Sequence, residues 1–261
     1  MAHRLLRIMA KLRSVIQGRP TFHNPLSYER HGIALTSGVS VGDFEHGKCL
    51  HTRAIAVLAV PMAEFKVQIR AIDAKLSRQQ LLSVLQAQGV IGDDESVDIL
   101  SAPHDSSTVA VFSMSVEQRE GYVAAYDRSN RHLVAIEPDC HALWRYARHQ
   151  RLEQHGWLMT TSHQSTLFWP AEWPWGYHAE AFDNASIHDG TKANDVLHTV
   201  IRRACLMTGN NEPCQCTLNV VGDKAIGQRW KGWLSGIDSQ LISGVNPIVL
   251  GAAMKCRQRW A

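Results

Sequence analysis

Apolar and polar positions alternate along the first half of the chain in ways that predict strands separated by amphipathic helices. The run 54–60 (AIAVLAV) is continuously apolar, as expected for a strand buried on both faces, and Pro61 ends it. From Phe65 to Arg70 apolar and polar residues alternate strictly, which predicts a half-buried strand. With the elements that follow, the segment 65–136 has the predicted order β-α-β-β-α-β, a compact split unit.

Two capping boxes predict where the helices of this unit begin. Ser77 stands three residues before Gln80, and Ser115 three residues before Gln118. At this spacing the serine hydroxyl accepts a hydrogen bond from the backbone N–H of the glutamine, and the glutamine side chain accepts one from the backbone N–H of the serine. Apolar stripes follow both sites, and Gly89 is placed to end the first helix. The strands predicted around them are Val97–Leu100, Thr108–Met114 and His132–Ile136.

The second half has its own alternation of strands and helices, which predicts an α/β fold in two blocks with a boundary near residue 150. The strongest pattern is the helix 192–207, whose apolar residues keep nearly ideal helical spacing. The other predicted elements are the helical stretch Leu143–Gln154, a hairpin of Trp157–Thr161 and Ser165–Trp169, the strand Thr217–Val221, and the helices Ile226–Leu234 and Pro247–Trp260. Near the start of the chain, His31–Leu35 and Gly38–Gly42 predict a strand and a turn.

Charge separates the first twenty residues from the rest of the chain. They hold five basic residues and no acid, which leaves 22 of the 27 basic residues to face 24 acidic ones. Because the body is nearly neutral, we expect no dedicated nucleic-acid binding. The segment resembles a basic amphipathic helix that contacts a membrane surface or a partner through Arg4, Arg7, Lys11 and Arg13. A helix packed on its own domain is the alternative.

Motifs of common enzymes and metal sites are absent from the sequence. It has no phosphate-binding loop, dinucleotide fingerprint, nucleophile elbow or H-E-x-x-H helix. Six scattered cysteines, including the pair Cys214 and Cys216, do not have the spacing of a structural zinc site. We therefore expect reduced thiols and no metal.

An aromatic tract, WPAEWPWGYH at 169–178, is the most unusual segment of the chain. Three tryptophans and a tyrosine on a loop stiffened by proline could form a stacking platform for a sugar or a peptide. Aromatic residues between elements also commonly cover the edge of a core. The sequence leaves both interpretations open.

The order and spacing of several segments resemble the PilM-like family of type IV pilus assembly proteins, with the short HofM-like competence and DNA-utilisation branch as the nearest match. The resemblance covers about residues 31–255 and includes the capped helix from Ser77. Its other segments are H-G-I-A-L at 31–35, A-V-P-M at 59–62, V-A-I-E-P-D-C-H-A-L at 134–143 and V-L-G-A-A-M-K at 249–255.

The resemblance implies an actin-like fold of two RNase H-like domains with a small inserted subdomain. The implied divisions are a basic segment 1–27, a first domain 28–150 with the insert at about 62–137, a second domain 151–246, and a closing helix 247–261 that returns to the first domain. Three family motifs for nucleotide and Mg²⁺ are degenerate. Ala34 replaces an aspartate, the hairpin at 157–161 lacks D-I-G, and Val221-Gly222-Asp223 replaces paired glycines. We therefore expect neither ATP binding nor hydrolysis.

By analogy with the family, we expect a non-catalytic cytoplasmic adaptor, peripheral to the inner membrane, that binds the cytoplasmic N-terminal tail of a PilN-like protein. A pilus assembly ATPase is a second expected partner. An actin-like ATP-binding protein of the pilus machinery and a GspL-like adaptor of type II secretion are the alternatives. The expected peptide-binding residues, which could equally be the core of the insert, are Phe65, Val67, Ile69, Leu81, Val84 and Leu85.

Overall fold

The computed structural model describes residues 35–39, 54–128, 131–161, 163–187, 189–208, 216–222, 224–242 and 246–260. The strands are β1 (Leu35–Val39), β2 (Ala54–Val60), β3 (Lys66–Ala71), β4 (Glu95–Ser101), β5 (Thr108–Ser115), β6 (Arg131–Pro138), β7 (Gly156–Thr160), β8 (Gln164–Pro170), β9 (Tyr177–Asp183), β10 (Leu218–Gly222) and β11 (Ser239–Ile242). The helices are α1 (Arg78–Ala87), α2 (Val116–Arg128), α3 (Asp139–Gln150), α4 (Gly190–Thr208), α5 (Lys224–Trp233) and α6 (Pro247–Trp260). The basic segment 1–27, with Arg4, Arg7, Lys11 and Arg13, lies outside the described residues.

The first sheet has the order β1-β2-β6, with β1 antiparallel and β6 parallel to the central β2. The apolar run 54–60 is this central strand, and its residues Val57 to Val60 are buried as the pattern predicts. Strand β1 includes Gly38, which the sequence places in a turn, so the structure differs from the prediction at this position. Residues 31–34 of the predicted strand lie outside the described residues.

The insert between β2 and β6 forms a separate antiparallel sheet in the order β3-β5-β4. Helix α1 begins at the predicted capping box, in which Ser77 and Gln80 bond each other's backbone. Its buried Leu81 and Leu85 pack on one face of the sheet against Val109 and Val111. The predicted order of elements is confirmed, but the last strand, β6, pairs with β2 in the first sheet and not within the insert.

The second domain is built on a five-stranded sheet in the order β11-β10-β7-β8-β9. Strands β7, β8 and β9 form an antiparallel meander, while β10 and β11 run parallel to β7. Numbered from β7, this is the order 3-2-1-4-5 of an RNase H-like domain, the unit of the actin-like fold. The predicted α/β class is confirmed, and this sheet has the strand order that the predicted actin-like architecture requires of a domain. Helices α4 and α5 cover one face of the sheet, and α3 and α6 meet the other.

Helix α6 packs on α3 and on β1 and β2. The approach to α3 is very close, since a Cβ added at Gly251 would lie 1.7 Å from the carbonyl oxygen of Ala142. A buried carboxylate reinforces this contact. Glu137, 2% exposed, accepts two hydrogen bonds from Arg145, at 2.9 and 2.8 Å, and one from Lys255 at 2.8 Å. Burial alone raises the pKa of Glu137, but these two cations outweigh it and the pKa is lowered.

Candidate functional site

A cavity of about 880 Å³ lies where the insert, the first domain and the second domain meet. The turn after β2 and the start of β3 form one wall, through Phe65 and Val67. Strands β8 and β9 and the aromatic tract form the other. The lining residues are Pro61, Met62, Ala63, Glu64, Phe65, Val67, Asp139, Gln164, Thr166, Ala171, Glu172, Trp173, Trp175, Tyr177, His178, Ala179, Ala181, Met207 and Thr208.

The aromatic tract divides between core and cavity, so part of it covers the core, as one interpretation of the sequence expects, and part lines the cavity. Trp169 belongs to the core beneath α4, and Tyr177 to the core between the sheet and α3. The hydroxyl of Tyr177 accepts a hydrogen bond from Nε1 of Trp157 at 3.1 Å. Trp173 and Trp175, which are half-buried, line the cavity. Gly176 between them and β9 has φ +66°, and Trp144 fills the space beside it.

Phe112 of β5 holds the tract against the insert and α3. Its ring meets Phe65 of the insert at 6.5 Å, His141 of α3 at 4.8 Å and Trp175 of the tract at 5.9 Å, each edge to face. His141 also donates from Nε2 to the carbonyl oxygen of Pro174 at 2.8 Å. Burial lowers the pKa of His141, so that the ring is neutral at physiological pH.

Asp139 is a buried carboxyl at the first position of α3, and it lines the cavity. Its Oδ1 accepts hydrogen bonds from the backbone N–H of Cys140 at 2.7 Å and of Met62 at 3.2 Å. Burial raises the pKa of Asp139 to about 7, although the backbone hydrogen bonds act in the opposite direction. The bond from Met62 ties the start of the insert to α3.

A smaller hollow of about 430 Å³ lies on the other side of Phe65, between the insert and the first domain. Phe112, Met114 and Leu133 supply its apolar surface, while Arg78, Asp98, Arg119 and Lys255 supply charge. Phe65 lines both hollows.

The six residues expected to bind a peptide do not share one surface. Val67 pairs with Phe112 and Gln68 with Val111, so Val67 lies on the sheet face opposite α1. Phe65 and Val67 line the larger cavity, whereas Ile69 is 48% exposed and lines neither hollow. On the other face, Leu81 and Leu85 are buried in the insert's core and Val84 packs against it.

Strand β10 ends at Gly222, where the family has paired glycines, and β7 packs closely against this end. A Cβ added at Gly222 would lie 2.2 Å from Oγ1 of Thr160, and that hydroxyl donates to the carbonyl oxygen of Val221 at 3.1 Å. Gly222 therefore allows close packing of two strands. Ala34 and Asp223 lie outside the described residues. Within the part of the chain that the structure describes, no three histidine, cysteine or acidic side chains come together as a metal site.

Several polar groups of the cavity were not identified from the sequence. Asp139 lies inside the segment 134–143 that carries the family resemblance, but nothing in that pattern marks it as a cavity residue. Thr166 is near no recognisable motif, and strands β8 and β9 bring it to the cavity only through their pairing. The signal that pointed toward this place was the aromatic tract, which contains Glu172 as well as two of the cavity's tryptophans.

None of the helices in the described ranges is both long and apolar enough to span a membrane.

No family model matches the chain, and no curated protein matches it. Among solved structures it is similar to a Bacteroides thetaiotaomicron protein of actin-like ATPase fold and unknown function, with 13% identity over 77% of this chain and 72% of that chain and a TM-score of 0.40. It is also similar to the PilM–PilN type IV pilus biogenesis complex, with 11% identity over 79% of each chain and a TM-score of 0.48. The cytoplasmic domain of EpsL, an inner-membrane component of the type II secretion system of Vibrio cholerae, has 12% identity over 77% of this chain and 73% of that chain, with a TM-score of 0.43. At such low identity, and with all three TM-scores below 0.5, these similarities carry no conclusion about this chain.

Proposed function

We propose that this chain is a non-catalytic cytoplasmic adaptor of a type IV pilus or DNA-uptake assembly system, peripheral to the inner membrane. In this role it binds the cytoplasmic N-terminal tail of a PilN-like inner-membrane protein. The proposal starts from the sequence resemblance. The observation that carries it is the pair of hollows on either side of Phe65, where the insert meets the rest of the chain.

The size and lining of the larger hollow support peptide binding. Its volume of about 880 Å³ lies within the range of small-ligand and peptide sites, and its walls are mainly apolar and aromatic. Phe65 and Val67 project from the strand that begins the insert, while the tryptophans project from the second domain. An extended segment of a few residues could therefore contact both domains at once.

Two features support a role without ATP chemistry. The described lining of the larger cavity contains three carboxyl groups and no lysine or arginine, whereas phosphate groups are held by cations and backbone N–H donors. In addition, Thr160 fills the space beside Gly222. The paired glycines of the family's nucleotide-binding members are absent at this position.

A calorimetric titration tests the adaptor role. The probe is a synthetic peptide of the first twenty residues of a PilN-like inner-membrane protein from the same organism. We expect saturable one-to-one binding. Phe65→Ala should weaken it at least about tenfold, which is about 1.4 kcal/mol, because an aromatic anchor between two hollows is lost.

Ile69→Ala is the matched control, because Ile69 lies on the same face of β3 but lines neither hollow. It should bind the peptide as the unmodified protein does. Thermal unfolding of both variants checks that they remain folded, and Val67→Thr provides a second, milder change in the same wall. Absence of binding at high micromolar peptide, with folded protein, would rule out the proposal.

A further inference from the structure

The larger cavity is lined by acidic side chains without basic ones, and binding of an apolar peptide alone does not require this. Glu64, Asp139 and Glu172 line it from three different elements, and the described residues around it include no lysine or arginine. The single histidine, His178, adds no positive charge at neutral pH, because burial lowers its pKa. Burial raises the pKa of Asp139 to about 7, so at neutral pH the acidic character of this aromatic cavity comes mainly from Glu64 and Glu172.

The three carboxyl groups are held differently. Glu64 accepts hydrogen bonds from Gln118 and, at 2.6 Å, from the hydroxyl of Tyr122, so its position is set by α2. Asp139 is fixed by backbone donors at the start of α3. Glu172 is exposed at the mouth, on the turn that carries the two cavity tryptophans.

Thr166 supplies an independent sign that a polar ligand belongs in the cavity. The residue is only 4% exposed, and its Oγ1 has no hydrogen-bond partner in the structure. A buried hydroxyl without a partner costs free energy, and native proteins rarely leave one unless a ligand or water completes it. Thr166 and its cross-strand partner Ala181 both line the cavity, which places the residue with the unpartnered hydroxyl in the cavity wall.

The aromatic rings complete the chemistry. Trp173, Trp175 and Tyr177 line the same wall as Glu172 and Thr166. Indole and phenol rings attract a cation over their faces, and the attraction grows when the cation is withdrawn from water. Carboxylates, an unpartnered hydroxyl and indole rings together match a planar cation with several N–H donors on an apolar stem.

We propose that this cavity binds an arginine side chain of an otherwise apolar peptide segment. The inference rests on the proposed function, in which the segment belongs to the tail of the membrane partner. The guanidinium donates to the carboxylates and to Thr166, its plane lies against a tryptophan, and its methylene stem contacts Phe65 and Val67. Binding thus depends on a positive charge at one position of the peptide.

A pair of capped tetrapeptides tests this inference without knowledge of the partner. The probes are acetyl-Leu-Leu-Arg-Leu-amide and its citrulline counterpart, which keeps the shape of arginine but lacks the charge. Binding is followed by tryptophan fluorescence at constant ionic strength. We expect the arginine peptide to bind at least about tenfold more tightly, and Glu172→Gln to remove most of that ratio while binding of the citrulline peptide stays the same. Thr166→Val should weaken both peptides, because the ureido group of citrulline also donates N–H groups.

Glu117→Gln, an exposed carboxyl in the first turn of α2 that lines neither hollow, is the matched control and should leave the ratio intact. Equal affinity for the two peptides, or a ratio that survives Glu172→Gln, would overturn the inference. If the partner's tail binds but Glu172→Gln has no effect on its affinity, only this inference fails. If the arginine peptide binds and the tail does not, only the adaptor role fails.

Discussion

Some residues that line the larger cavity have properties that their place in the sequence does not reveal. The raised pKa of Asp139 is the clearest case. In an unfolded chain its carboxyl titrates near 3.8, whereas in the folded protein burial raises the pKa to about 7. The folded state therefore holds a proton that the unfolded state releases between these two values. The contribution of Asp139 to the free energy of unfolding therefore falls as the pH rises from about 4 to about 7, and it is constant above that range.

Asp139→Asn should remove this pH dependence, because an amide keeps an oxygen for the N–H groups of Met62 and Cys140 but carries no charge. Relative to the unmodified protein, we expect the variant to gain stability with rising pH, by up to about 4 kcal/mol between pH 4 and pH 7.5. Urea unfolding at several pH values measures this difference. Glu120→Gln, at an exposed position of α2, is the control; a difference that does not change with pH would contradict the buried state of Asp139.

Helices α6 and α3 pack so closely that no side-chain atom can be added between their backbones. This packing depends on Gly251. A methyl group at this position would overlap the backbone oxygen of Ala142, which cannot move without displacing α3. The carboxylate of Glu137 binds both Arg145 of α3 and Lys255 of α6, so a shift of either helix would also disturb a buried charge network.

Gly251→Ala should therefore destabilise the protein by several kcal/mol or prevent folding, as overpacking of a close backbone contact does. Gly121→Ala in α2 is the matched control, because nothing lies within 4 Å of the added carbon. There the higher helix propensity of alanine should add up to about 1 kcal/mol. Thermal and urea unfolding of the two variants gives the comparison, and equal effects of the same sign would refute the packing of α6 on α3.

At the scale of the whole molecule, the second domain meets the insert through a small set of aromatic contacts. Trp175 reaches across to Phe112 of β5, and His141 of α3 packs against the same ring. Because Trp175 also lines the cavity, the same side chain contributes to the contact with the insert and to the shape of the site.

Trp175→Ala should loosen this contact without unfolding either domain, since the core beneath α4 does not include Trp175. We expect faster amide hydrogen exchange in β3 and β5 and unchanged exchange in β10 and β7. Leu206→Ala, at a position that is 75% exposed, should change neither. Hydrogen exchange measured by mass spectrometry separates these regions, and equal exchange in β5 of the two variants would show that the tract does not support the insert.

The fold was predictable where a local pattern coincides with burial on a single face or on both. The capping box at Ser77, the apolar run 54–60 and the stripe of α4 all form as expected. Strands β9 and β11 were not predicted. The first begins inside the aromatic tract, and the second is only four residues long with no buried residue. Both form because β8 and β10 offer them an open edge to pair with.

Helix α3 shows why boundaries are harder to predict than elements. The sequence predicts a helical stretch from Leu143 to Gln154, whereas the helix begins at Asp139 and ends at Gln150. Arg151 ends it in the left-handed conformation, with φ 59°, a position where glycine is the usual signal. The start was hidden because Asp139 is buried against a cavity, and Cys140 in the core, by parts of the chain that are distant in sequence.

The sequence by itself determined the α/β class, the order of most elements, the near-neutral body and the absence of familiar nucleotide motifs, because these depend on local periodicity and composition. Only the tertiary structure determined which residues come together at the candidate site. It separated Phe65 and Val67 from Leu81 and Leu85 by the two faces of one sheet, and it moved β6 from the insert to the first sheet. It also brought Thr166, Asp139 and Glu172 around one cavity, since strand pairing and domain contacts join residues that no spacing along the chain connects.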